Sequence, residues 1–164
     1  SLKEENMENA LISGIAFKQD QTKFTLHGVE DTPGIAYKIL GPVNDQDISV
    51  DVIVQNISVN GKTDFTFTVD KEDEEQVKSI LESKQSGLDY IDLLIDADIA
   101  KVSIVGAGMR SHAGIASKAF EALSNESINI QVISTSEIKI TLVIEDKYLE
   151  LAVKCLHKAF NLEK

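Results

Sequence analysis

Tryptophan is missing from this 164-residue sequence, and six Phe and three Tyr are its only aromatic side chains. With 43% of residues apolar, a core must be built mainly from Val, Ile, Leu and Ala. A single cysteine, Cys155, excludes an internal disulfide and points to a reducing compartment. Its place in a helical apolar pattern makes it a small buried hydrophobe. Positive charge is scarce: 16 Lys and Arg stand against 27 Asp and Glu, for a net charge of −11. A polyanion is repelled at long range by such a balance, and no basic cluster offsets it, so nucleic acid is excluded as a direct partner. No apolar run approaches the ~18–20 residues of a membrane span, and no signal peptide is visible. The expected location is the cytoplasm, with no membrane partner.

Catalytic motifs are also lacking. The sequence has no Walker loop, no nucleophile elbow, no zinc spacing and no glycine-rich loop of the dinucleotide type. Gly106–Gly108 follows a strand and precedes a helix, but so short a fragment reads as a flexible turn. His27, His112 and His157 are far apart and share no metal-ligand spacing. Neither a catalytic residue nor a metal site is expected.

What is present is a repeat. The segment from Lys23, KFTLHGVEDTPGIAYKIL, and the segment from Lys101, KVSIVGAGMRSHAGIASKAF, align at Lys23 with Lys101 and at Gly28 with Gly106. The second turn is two residues longer. Beyond it Gly34-Ile35-Ala36 matches Gly114-Ile115-Ala116, and Lys38 matches Lys118. Two copies are too few for a solenoid and suit a pseudo-symmetric pair of domains.

Each copy reads in the same order. Lys23–Leu26 and Lys101–Val105 are short strands by their alternation. A helix follows, with Ile35, Ile39, Leu40 and Val43 on one face in the first copy and Ile115, Ala119, Phe120 and Leu123 in the second. Pro33 suits the first helical turn, and Asp31 or Thr32 can cap it. The second strand is Ile48–Ser58 or Ile128–Thr135. Asn60-Gly61 marks a two-residue hairpin, Thr63–Val69 a third strand, and Asp70 the cap of a second helix burying Val77, Ile80 and Leu81. Leu88–Ile95 is a fourth strand. The second copy continues through strand Glu137–Ile144 and helix Asp146–Phe160, burying Tyr148, Ala152, Cys155, Leu156 and Ala159. The order is βαββαβ, the ferredoxin-like arrangement of the α+β class. No fourth strand follows the last helix, while Ile12–Phe17 is an unpaired strand at the other end. The economical solution inserts the first domain into the second, so that the N-terminal strand completes the second sheet and covers its edge.

The two strand-to-helix turns are the candidate binding sites. Each sets backbone N–H groups at a helix N-terminus beside a glycine, Gly34 or Gly114, where a carboxylate is attracted by about 0.3–2 kcal/mol. Asp31 beside the first turn supplies an acid for an ammonium group. The same residues also serve for plain helix capping.

These turns, and the strands after them, resemble the C-terminal tandem ACT domains of the aspartate kinases. The resemblance is carried by GVEDTPGIAYKI, VDVIVQN, AKVSIVGAGMRSHAGIA, INIQVISTSEIKI and YLELAVKCLHKAF, and covers nearly the whole chain from about Leu11. It implies two ferredoxin-like ACT domains, the first at 22–96 and the second at 10–20 plus 97–164, with 1–9 as a flexible tail. It implies a regulatory part without a catalytic site, in which ATP and Mg belong to a separate kinase domain that phosphorylates aspartate to 4-phospho-L-aspartate. It also implies feedback control of lysine, threonine and methionine biosynthesis, with threonine and/or lysine as effector. The implied partners are a second copy, through ACT–ACT packing, and the aspartate kinase catalytic domain or subunit. Met7-Glu8 resembles the start of a separate regulatory subunit, and Ser1–Asn6 upstream suggests a cut fragment.

Carried over residue by residue, the effector pocket implied is Asp31, Pro33, Gly34, Ile35, Ala36 and Gln55, with Asn129 and Ile130 from across the interface. A second pocket would use Met109, Ser111, His112, Gly114 and Ala116, facing Ser49, Val50 and Asp51. The sequence departs from the family at Ala113, where proline is usual after the histidine. A rival expectation is a stand-alone tandem ACT module that binds amino acids or assembles another biosynthetic enzyme, as in the regulatory subunit of acetohydroxyacid synthase. GMRSH and ISTSEIKI would be out of place there.

Overall fold

The computed structural model describes residues 12–106 and 112–162. The expected tail at 1–9 and the start at Met7-Glu8 lie outside the described residues. The chain divides into two compact units, Asp20–Asp98 and Ser1–Gln19 with Ile99–Lys164.

In the Asp20–Asp98 unit, strand β1 (Ile12–Glu30) leads to helix α1 (Ile35–Asp45), strand β2 (Val50–Gln55), strand β3 (Lys62–Asp70), helix α2 (Glu74–Glu82) and strand β4 (Asp92–Gly106). The strands lie in the order β2-β3-β1-β4, which is ferredoxin-like. Phe24 and Leu26 of β1 alternate inward, facing Phe67 and Phe65 of β3 in the antiparallel register. The Phe24 and Phe67 rings stack with centroids 5.6 Å apart. Ile39 and Val43 of α1 and Val77 and Leu81 of α2, each pair one helical turn apart, close over that layer. Each such buried side chain contributes about 1.5–3 kcal/mol. Asn60 at φ 54 and Gly61 at φ 74 form the expected tight hairpin, closed by reciprocal Val59–Lys62 backbone bonds.

The other unit carries helix α3 (His112–Asn125), strand β5 (Val132–Thr135), strand β6 (Lys139–Glu145) and helix α4 (Leu149–Ala159). Its strand order is β1-β4-β6-β5. The Ser13 hydroxyl on β1 donates to the Val105 carbonyl of β4 at 3.1 Å. Val102 and Ile104 of β4 face Leu142 and Ile140 of β6. Ile115, Ala119 and Leu123 of α3 and Leu149, Ala152 and Leu156 of α4 cover them.

Several expected boundaries are corrected. The two strands read at Ile12–Phe17 and Lys23–Leu26 are one strand, β1, and those at Leu88–Ile95 and Lys101–Val105 merge into β4. The stretch between the first two is polar, which breaks the apolar alternation of a strand. A backbone ladder, however, is indifferent to side-chain polarity, provided buried polar groups find partners. Gln21 and Thr22 do: Gln21 Nε2 donates to Asp70 Oδ1 at 2.8 Å, and Thr22 Oγ1 to Glu74 Oε1 at 2.8 Å. That contact also explains why Asp70 makes no capping hydrogen bond through its side chain. Cys155 is half-buried rather than buried. Its Sγ donates to the Ala152 carbonyl at 3.3 Å.

Candidate functional site

The turn between β1 and α1 is built by its backbone. Gly34 is the residue before the helix, at φ 92, and no side chain caps it. The expected capping by Asp31 or Thr32 is therefore corrected, and Pro33 stands before the helix instead of in its first turn. A Cβ at Gly34 would meet nothing within 4 Å, so the constraint there is conformational and not one of space. The Ile35 amide bonds back to the Thr32 carbonyl at 3.2 Å, and the Lys38 amide to the Gly34 carbonyl at 3.0 Å. The amides of Ala36 and Tyr37 fall in the first turn, where the helix itself offers no carbonyl.

Asp31 is free for other work because it is not a cap. Its Oδ1 accepts from Gln55 Nε2 at 3.2 Å, so β2 and the turn bring together two residues far apart in sequence. Pro33, Gly34 and Ile35 line a cavity of about 230 Å³ within this unit, together with Glu30, Thr32, Lys38, Gly87 and Asp89. Ala36 is exposed at the start of α1. The cavity therefore has one cation, two anions and the positive end of a helix around a small volume. That set can hold a carboxylate and an ammonium group together.

Sequence reasoning missed Lys38, Gly87 and Asp89. A signal existed for Lys38, which closes the repeated Gly-Ile-Ala-x-Lys. Its counterpart Lys118 likewise lines a cavity, of about 630 Å³, with Gly114, Ser117, Glu121 and Cys155 in the other unit. Burial, and then the charge of Glu126, pushes the Cys155 thiol above its ordinary pKa.

Asn129 and Ile130 belong to the other unit, where they line an open cavity of about 420 Å³ with Phe120 and Ser127. Of the second expected pocket, Met109 and Ser111 lie outside the described residues, and His112 opens α3. Gly114 is exposed in the first turn of α3 and Ala116 is half-buried. Ser49, Val50 and Asp51 sit at the start of β2 in the Asp20–Asp98 unit. Asp51 Oδ1 accepts from the Val52 amide at 2.9 Å, across a bulge where Val52 takes φ 46. A β-branched residue at positive φ is strained. Among the described residues, Asp70, Glu72 and Asp73 bring carboxylate oxygens within 4.8 Å of one another. They form the acidic entry to α2, and Asp70 already accepts from Gln21. No helix among the described residues is long and apolar enough to cross a membrane.

Comparison with known proteins gives two ACT domain matches, over residues 25–85 and 102–160. The chain is 58% identical over 160 residues to an aspartate kinase of Pseudomonas putida, covering 98% of this chain and 39% of that protein. It is 49% identical over 162 residues to an aspartokinase of Helicobacter pylori, covering 99% of this chain and 40% of that one. It thus spans about two fifths of the length of the curated relatives it matches. A crystal structure of aspartokinase alpha and beta subunits superposes with a TM-score of 0.82 at 50% identity, over 92% of this chain and 99% of that chain. The ligand-free regulatory subunit of aspartate kinase from Thermus thermophilus superposes with a TM-score of 0.84 at 33% identity, again over 92% and 99%.

Proposed function

The chain belongs to the aspartate kinase family, as its regulatory ACT region, and from that premise we propose that it binds threonine, lysine or both and relays their presence as feedback inhibition. The observation that carries this reading is the hydrogen bond from Gln55 to Asp31, set beside an uncapped helix N-terminus. An amino acid offers both charges such a site can use. Its carboxylate meets the amides of the first turn, and its ammonium meets the acid.

In this reading the pocket is completed by Asn129 and Ile130 of the partner subunit in a homodimer built by ACT–ACT packing. A second pocket of Met109, Ser111, His112, Gly114 and Ala116, opposite Ser49, Val50 and Asp51, has the pseudo-symmetric role. The two compact units are the two ACT domains, the first inserted into the second. The division of the chain and the strand order in each unit support that assignment. The kinase chemistry, transfer of phosphate from ATP to L-aspartate, belongs to a catalytic domain or subunit that this region controls in the cytoplasm. An effector shifts that enzyme only by binding one of its states better than the other, and useful couplings are about 1–3 kcal/mol.

A ligand at a hundred times its dissociation constant stabilises the fold by about 2.7 kcal/mol. Thermal melting of the chain with millimolar L-threonine or L-lysine is therefore the test. A rise in Tm with at least one of them is expected, and no shift with either sinks the proposal for this chain.

A further inference from the structure

The strand that delivers the first turn carries one residue more than its neighbour. β1 and β3 pair as Leu26 with Phe65 and next as Val29 with Thr63. His27 and Gly28 together therefore oppose a single residue, Asp64. One oxygen of that residue serves both: Asp64 Oδ1 accepts from His27 Nδ1 at 2.7 Å and from the Gly28 amide at 3.1 Å. A carboxylate only accepts, so the imidazole carries a proton on Nδ1. Gly28 takes φ 72, and a Cβ there would lie 2.5 Å from Ile91 Cδ1. The Ile91 amide in turn donates to the His27 carbonyl at 2.8 Å. The bulge is thus held from two neighbouring segments.

An inserted residue reverses the face taken by every residue after it. Beyond this bulge Val29 is fully buried, the Asp31 amide reaches the Gly61 carbonyl at 2.9 Å, and the Asp31 carboxylate meets Gln55. A β1 slipped by one residue would turn Asp31 away from β2. Among the described residues, the matching position of the other unit has no such device. There Val105 is opposite Lys139, whose ammonium cannot accept a hydrogen bond.

We infer that Asp64 is a positioning residue for the amino-acid site: by holding both residues of the bulge, it fixes the register in which Asp31 meets Gln55. This inference rests on the effector reading of that turn. The test titrates the chain and its Asp64→Ala, Asp64→Asn and His27→Gln variants calorimetrically, with L-threonine and with L-lysine. Amide hydrogen exchange is followed without either amino acid. Loss of a charge-assisted bond predicts about tenfold weaker binding by Asp64→Ala. Asp64→Asn keeps an Oδ1 acceptor for the Gly28 amide and recovers most of the affinity, and His27→Gln, which leaves that bond, loses less than Asp64→Ala. Exchange at Gly28 and Asp31 accelerates in Asp64→Ala while the β6 amides keep their rates. A folded Asp64→Ala with unaltered affinity and unaltered exchange at Asp31 overturns the inference and leaves the effector reading standing. If the unaltered chain binds neither amino acid, the effector reading falls, and unaltered exchange at Gly28 and Asp31 still overturns the positioning role. Should Asp64→Ala fail to fold, Asp64→Asn carries the comparison: its neutral acceptor holds the Gly28 amide less strongly than the carboxylate does, so exchange at Gly28 accelerates there, and unaltered exchange at Gly28 overturns the role.

Discussion

The two units share a plan and differ in how their turns are held. The Asp20–Asp98 unit packs three phenylalanines, Phe24, Phe65 and Phe67, between sheet and helices. The other fills the same layer with aliphatic residues and a single buried phenylalanine, Phe160. In the first, Gly34 takes a left-handed conformation, Asp31 holds Gln55, and a carboxylate grips the strand just upstream. In the second, Ala113 takes the position that Pro33 holds in the first, and a lysine takes the place of the gripping acid. Duplication thus preserved the apolar positions that any ferredoxin-like layer needs. The polar contacts that shape a turn diverged, because each depends on a pair of residues and not on a pattern.

The comparison is broken most forcefully in the cores. Phe67→Ala removes a fully buried ring from the aromatic stack and should cost about 3–5 kcal/mol by denaturant unfolding. Leu142→Ala in the other unit falls in the range of about 2–5 kcal/mol. A negligible cost for Phe67→Ala would mean that the stacked ring does not anchor its unit.

The next effect concerns the turns themselves. Asp31→Ala should weaken effector binding by about 1.5–3 kcal/mol, the range for a hydrogen bond to a charged group, read as a lost thermal shift. Ser111→Ala, at the second turn, should change it much less. The reverse order would make the second turn the principal site.

Smaller still is Ala113→Pro. Proline is accommodated in a first helical turn, and it reduces the freedom of the unfolded chain. A gain of about 0.4–1 kcal/mol is expected in thermal melting. A loss would mean that the second turn uses the Ala113 amide.

The smallest effect belongs to Cys155, whose thiol is raised by burial and then by Glu126. A group raised in the folded state lends stability that is fully present below its unfolded value, about 8.5, and is lost as pH climbs towards the folded one. The chain should therefore lose a little stability above that pH, and Cys155→Ala should lose less. Reaction of the thiol with a disulfide reagent at neutral pH should be slow.

How much of this was legible follows from the same distinction. The repeat, the apolar faces of all four described helices and the Asn60-Gly61 hairpin follow from spacing and from the φ those turn residues favour. The roles of Asp31 and Asp70 do not. Local spacing reads Asp70 as a helix cap and Asp31 as a cap or an acid for an ammonium group, and only the resemblance sets Asp31 beside Gln55, while in the fold each is taken by a glutamine on a different strand, Gln55 or Gln21. Asp64 gave less signal again, as one polar residue in an alternating strand. Its role depends on a one-residue offset that exists only once β1 and β3 are paired. Lys38 was visible as a repeated residue, yet nothing local ties it to Gly87 and Asp89.

The most direct test of the sensing account is a crystal structure of the chain grown with L-threonine and L-lysine together. The account predicts an amino acid at the first turn, its carboxylate on the amides after Gly34 and its ammonium on Asp31. An empty first turn, or an amino acid bound only at the turn before α3, would contradict it.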